Sequence, residues 1–118
     1  MPAAKYKLKI EQGATLRIPF KWTAGGITVD LTGYKGRMQI RPEVDSETII
    51  HTLTSENGGI YFEPSLGKFY IYISASDTSA FDFDSAVYDL ELIAPNDDVD
   101  RVIEGEVTLS KEVTRERF

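Results

Sequence analysis

The sequence predicts an all-β chain folded as a sandwich, and three observations carry that expectation. Apolar and polar residues alternate at period two in segment after segment, as where Phe69, Ile71 and Ile73 alternate with Tyr70 and Tyr72. Turn groups rich in Gly, Asn, Asp and Pro separate these segments at short, roughly regular intervals. The C-terminal quarter, Tyr88 to Arg115, reads as two long strands about an acidic turn. There Ile103, Gly105, Val107 and Leu109 share one face, and Glu104, Glu106 and Thr108 share the other.

Tyr6, Leu8 and Ile10 alternate with Lys5, Lys7 and Lys9, giving a first strand that ends at Gln12-Gly13. Leu16, Ile18, Phe20 and Trp22 alternate with Arg17, Pro19 and Lys21 in a second. Pro19 cannot donate to a ladder, so this strand lies at an edge or is bulged. Ala24-Gly25-Gly26 is a turn, and Asp30–Tyr34 turns into a third strand, Lys35–Arg41, stopped by Pro42. Residues 44–48 are polar loop. Ile49–Leu53 and Ile60–Glu63 are short strands on either side of the turn Glu56-Asn57-Gly58-Gly59.

Pro64–Lys68 turns again before the Phe69–Ile73 strand. Residues 76–81 form the one helical turn, with Ser76 or Asp77 as its cap. Ala86–Ile93 and Arg101–Ser110 complete a set of about seven to nine antiparallel strands. The expected core is Leu8, Ile18, Phe20, Trp22, Met38, Ile40, Ile60, Phe69, Ile71, Ile73, Tyr88, Leu90, Leu92, Ile103, Val107 and Leu109. Tyr88 opens its strand just after the helical turn. It reads either as a tyrosine corner tying down the preceding loop or as an ordinary half-buried strand tyrosine.

Length and composition bound the function. The 118 residues suit one domain spanning 1–118, and 42% hydrophobic content supports one core. There is no cysteine, which excludes disulfides, thiol chemistry and cysteine-based zinc sites. The N-terminal stretch lacks the apolar core of a secretory signal, and no apolar run approaches the roughly 20 residues that span a bilayer. No membrane association is expected. The net charge of −6 is unevenly spread. Residues 1–42 carry eight basic against two acidic side chains, or +6; residues 43–110 carry two against fifteen, or −13; the last eight are +1. Solvated strand faces that differ in sign explain this split, and so does head-to-tail contact between copies.

Candidate chemistry is sparse. His51 is the sole histidine, and no partner for base catalysis can be named, so it reads as structural or solvent-exposed. Asn96-Asp97-Asp98-Val99-Asp100 is dense in oxygen ligands. It lacks the glycine at the sixth and glutamate at the twelfth position of a calcium loop, and reads as a turn. Asp77, Asp82 and Asp84 read likewise. Glu91, Glu104 and Glu106 point outward on a flat sheet rather than into a glycosidase cleft. Gly25-Gly26 and Gly58-Gly59 precede no phosphate-loop lysine. The expectation is a non-enzymatic protein without cofactor or metal. Lys5, Lys7 and Lys9 read as edge protection or subunit contact; overall acidity argues against nucleic acid.

A series of ordered segments resembles a family of small structural proteins. They are Ile10–Thr15, Val29–Tyr34, Met38–Arg41, Glu56–Ile60, Tyr88–Leu92, Glu104–Val107 and Glu112–Arg115, which span nearly the whole chain. The chain resembles the immunoglobulin-like modules of tailed-bacteriophage collars, tail tips and baseplates, including the N-terminal domain of baseplate upper proteins. The resemblance implies an immunoglobulin-like sandwich in the virion tail, made in the host bacterial cytoplasm. It also implies a homo-oligomeric ring bound to other phage tail proteins or fibres, and it brings no catalytic residues.

The physical reading places one half of the subunit contact on Lys5, Lys7, Lys9 and the tail with Arg115, Arg117 and Phe118. The other half falls on Asp97, Asp98, Glu104 and Glu106. A rival reading is a carbohydrate- or host-surface-binding module using Tyr61, Tyr70 and Tyr72; a further one is a capsid decoration protein.

Overall fold

A computed structural model describes residues 3–114. Its strands are β1 (Ala4–Lys5), β2 (Leu8–Glu11), β3 (Leu16–Lys21), β4 (Thr23–Ala24), β5 (Ile27–Thr28), β6 (Lys35–Arg41), β7 (His51–Thr54), β8 (Ile60–Glu63), β9 (Lys68–Ile73), β10 (Ser85–Ile93) and β11 (Val99–Ser110). A single 3-10 turn covers Pro64–Leu66, and α1 covers Ala75–Ser79.

The strands form an all-β sandwich. The larger sheet has the order β1-β11-β10-β6-β7, with β2 also paired to β11; the smaller sheet has the order β3-β9-β8. This is the immunoglobulin arrangement: β3, β9 and β8 take the places of strands B, E and D, and β11, β10, β6 and β7 those of G, F, C and C′. The two inner faces meet in one core cluster, where Phe69, Ile71 and Ile73 from the small sheet face Met38, Ile40, Leu90 and Leu92 from the large one.

Turn chemistry fixes the connections. β4 and β5 form a tight hairpin through Gly25 and Gly26, both at positive φ (59° and 80°), as a two-residue turn of matching twist requires. Ser74 caps α1 by accepting from the Asp77 N–H at 3.1 Å; the expected caps Ser76 and Asp77 lie inside the helix instead. The helix is locked onto the β2–β3 turn by Thr78, which is fully buried. Its hydroxyl accepts from Gly13 N–H at 3.1 Å and donates to the Ala14 carbonyl at 2.9 Å.

Several expectations meet corrections. The first strand is interrupted at Tyr6–Lys7, although Lys5↔Glu104 and Leu8↔Val107 preserve one parallel register with β11. The Tyr6 carbonyl leaves the ladder and accepts from the Tyr88 hydroxyl at 2.7 Å. Tyr88 therefore anchors the N-terminal strand rather than the loop before its own. Burial pushes its phenol above the usual range, with the nearby Tyr6 adding to the effect. Gly105, opposite Tyr88 in the register, makes this approach possible: a Cβ there would lie 2.3 Å from the Tyr6 oxygen.

Ile18 and Phe20 of the edge strand β3, and Trp22 just after it, pack against the core while staying partly exposed. Ile10, Leu31, Leu53 and Phe81 join the core beyond the expected set. The predicted Ile49–Leu53 strand begins at His51 and ends at Thr54.

Candidate subunit interface

The outer face of the large sheet is a lattice of ion pairs built by register. Lys5, Glu104, Asp89 and Gln39 lie side by side across β1, β11, β10 and β6. Lys5 pairs with Glu104, and Arg101 reaches both Glu104 (3.2 Å) and Asp89 (3.4 Å). One row over, the Arg37 Nε lies 2.6 Å from Glu91. Hydrogen bonds from Lys5 and Arg101 hold the Glu104 carboxyl below the usual carboxylate range. Asp89 shifts upward because burial among its neighbours outweighs the pull of Arg101.

Within one chain, this lattice joins residues that the sequence reading assigned to opposite halves of the subunit contact. Lys5 and Glu104, placed on opposite partners by the sequence reading, bond to each other within one chain. Lys7 and Lys9 lie exposed along the same edge, without an ion-pair partner among the described residues, and Glu106 lies exposed one strand away on β11. Basic and acidic halves are thus neighbours on one sheet. Arg115, Arg117 and Phe118 lie outside the described residues.

Asp97 and Asp98 sit in the β10–β11 turn. Asp97 takes the left-handed conformation (φ 71°), and its N–H donates to the Ala94 carbonyl at 2.9 Å. The Asp98 N–H donates to Asn96 Oδ1 at 3.0 Å. The oxygens of this loop close a turn on itself. Among the described residues, no group of three or more His, Cys, Asp or Glu is placed to hold a metal ion. His51 packs edge-on against Phe81 and lies 4.0 Å from Asp77. Lys111 lies 3.6 Å from both Asp82 and Asp84.

The outer face of the small sheet is built differently. Register sets Pro19, Tyr70 and Tyr61 in one row across β3, β9 and β8, with Arg17 and Tyr72 paired in the next. Tyr61 and Tyr70 stack with centroids 4.7 Å apart, and the Arg17 guanidinium lies over the Tyr72 ring at 5.1 Å. The Tyr70 hydroxyl bonds Glu63. Arg17, Lys21 and Lys68 have no ion-pair partner among the described residues. The result is an exposed face on rigid strands that is aromatic and, with Arg17, Lys21 and Lys68 against the carboxylate of Glu63, net cationic. Sequence alternation showed the tyrosines sharing a face. It did not show that the β3 cations join them, since that depends on how β3 and β9 pair.

A concavity of ≈ 320 Å³ opens between the sheets beside β1, where Tyr6, Phe20, Trp22 and Phe69 meet Lys21 and Arg101. Tyr6 meets Phe20 edge-to-face at 5.3 Å, and Phe20 stacks on Phe69 at 5.4 Å, so its walls are mutually packed rings. Among the described residues no helix is long and apolar enough to cross a membrane. No protein-family model and no curated protein sequence matches this chain.

Proposed function

We propose that this chain is a non-enzymatic structural subunit of a tailed-phage virion. It would be present in several copies in a collar, tail tip or baseplate, where it forms a ring or platform for neighbouring tail and fibre proteins. The observation that carries the reading is the outer face of β3, β9 and β8. Tyrosine and arginine are among the residues interfaces favour, because they supply large contact area and polar handles. Here they stand on a rigid sheet, with three cations that lack an ion-pair partner among the described residues. The ordered segments that resemble tail modules give the reading its context.

The test is immunogold labelling of virions produced from the genome that encodes the chain. Label confined to tails is the expected result; virions without label would overturn the reading, and label on the capsid would replace it with a decoration role. The carbohydrate-binding alternative draws on the same tyrosines. Tyr61 and Tyr70 already cover one face of each other, and Arg17 covers Tyr72. Sugar stacking needs open ring faces, so the arrangement favours protein contact. Binding on a glycan array that is lost in Tyr61→Ala would reverse that preference.

A further inference from the structure

The face of the small sheet has a complement on the same molecule. The loop between β6 and β7 carries Glu43, Asp45 and Glu47, none of which has a cation partner among the described residues. Between them stands Val44, which is 81% exposed and among the most exposed large apolar side chains described. The loop is held in shape: the Ser46 N–H donates to the Glu43 carbonyl at 3.1 Å, and Arg41 donates to the Ser46 carbonyl at 2.6 Å. It is therefore an apolar knob with an acidic collar, and Val44 borders a concavity on the large sheet with Arg41, Val87 and Asp89.

We infer that the Glu43–Glu47 loop of one copy docks on the Arg17, Lys21, Lys68 and tyrosine face of the next. This deepens the proposed ring-forming role and rests on it. The chemistry matches at both levels, since Val44 would meet the tyrosine rings while three carboxylates meet three cations. The two patches lie on different sheets, so the contact is heterologous and repeats from copy to copy, as a ring or sleeve requires. The platform is small, three strands wide and about 20 Å long, well short of the roughly 800 Å² per partner of a stable standard interface. One contact alone is weak, and closure of a ring or a shared tail scaffold multiplies it.

The test uses the full chain in sedimentation velocity across protein concentration, at low and high salt. The wild type should associate at low salt and lose at least tenfold in association constant at high salt. Arg17→Glu with Lys21→Glu should abolish association, and so should Glu43→Lys with Glu47→Lys. An equimolar mixture of the two variants should associate again, because each supplies the sign the other needs. Circular dichroism confirms that both variants fold.

A wild type that stays monomeric at every concentration overturns this contact. So does a mixture that fails to reassociate. If the Glu43 and Glu47 reversals leave association intact while the Arg17 and Lys21 reversals abolish it, another acidic surface is the occupant and the inference falls. Virion labelling is independent of all these results, so tail-labelled virions alongside a failed mixture would leave the structural reading standing without this interface.

Discussion

Tyr88, Gly105 and Tyr6 are three residues far apart in sequence that fix one detour of the backbone. Gly105→Ala places a methyl group against the backbone oxygen of Tyr6, which has no flexible side-chain end to swing away. A loss of about 2 kcal/mol is expected in urea unfolding, in the range of overpacking substitutions. Tyr88→Phe removes the hydrogen bond to Tyr6 and should cost about 1 kcal/mol. Because both act on the same carbonyl, the double variant should cost less than the two single losses together. Strict additivity in that cycle would show that the two residues act separately.

Asp89 gives a pH prediction with a definite sign. Its folded-state pKa lies above the ordinary 3.8, so the folded chain holds this proton more tightly than the unfolded chain. The stabilisation from that proton is fully present below 3.8 and is lost as pH rises through the raised value. Asp89→Asn should therefore be more stable than the wild type at neutral pH, and the advantage should shrink as pH falls toward 3.8. Glu104 runs the other way. Its pKa is lowered, so its contribution is present above its ordinary 4.5 and fades as pH falls through the lowered value. Parallel stability curves for wild type and Asp89→Asn between pH 3 and 7 would contradict the assignment for Asp89.

Among the elements, β3 shows how a single residue manages an exposed edge. Pro19 sits mid-strand, opposite Tyr70, on a strand whose other side is unpaired among the described residues. Proline removes a donor that an approaching strand would use. Pro19→Thr restores it and should raise non-native association on mild heating, read as scattered light. The edge position of β3 was one of two readings that Pro19 left open in the sequence, a bulge being the other. The bounds of β6 were legible, fixed by strict alternation and by Pro42.

The break between β1 and β2 was not legible. Alternation runs unbroken through Tyr6, and the cause lies in Gly105 and Tyr88 on other strands. Leu31 was hidden for a similar reason. It lies within a turn in sequence but is fully buried, its N–H held by the Pro64 carbonyl at 3.0 Å. The candidate site was half legible. Period two placed Tyr70 and Tyr72 together, but only pairing puts Arg17 over Tyr72, and only the parallel β1–β11 register brings Lys5 to Glu104.

Across the whole molecule, one core cluster joins both sheets, and β11 touches both the N-terminal strands and β10. Neither sheet can bury its apolar inner face without the other, so unfolding should be a single cooperative transition. Trp22, the sole tryptophan, packs against that core just past the end of the edge strand. Its fluorescence and the far-ultraviolet circular dichroism should therefore give one urea midpoint, and separate midpoints would reveal a sheet that melts alone.

The parallel run of β1 and β2 along β11 has a mechanical meaning. The first and last described strands point the same way, so tension applied beyond their outer ends would slide them past each other along their length. Hydrogen bonds loaded in shear share the force and yield together, whereas bonds in a peeling hairpin yield one at a time. A subunit stretched along this axis should resist as a clamp. Single-molecule pulling should find a high rupture force that drops when Gly105→Ala displaces the N-terminal strand. Such a clamp would keep the N-terminal strands seated on β11 under a load that a hairpin could not bear.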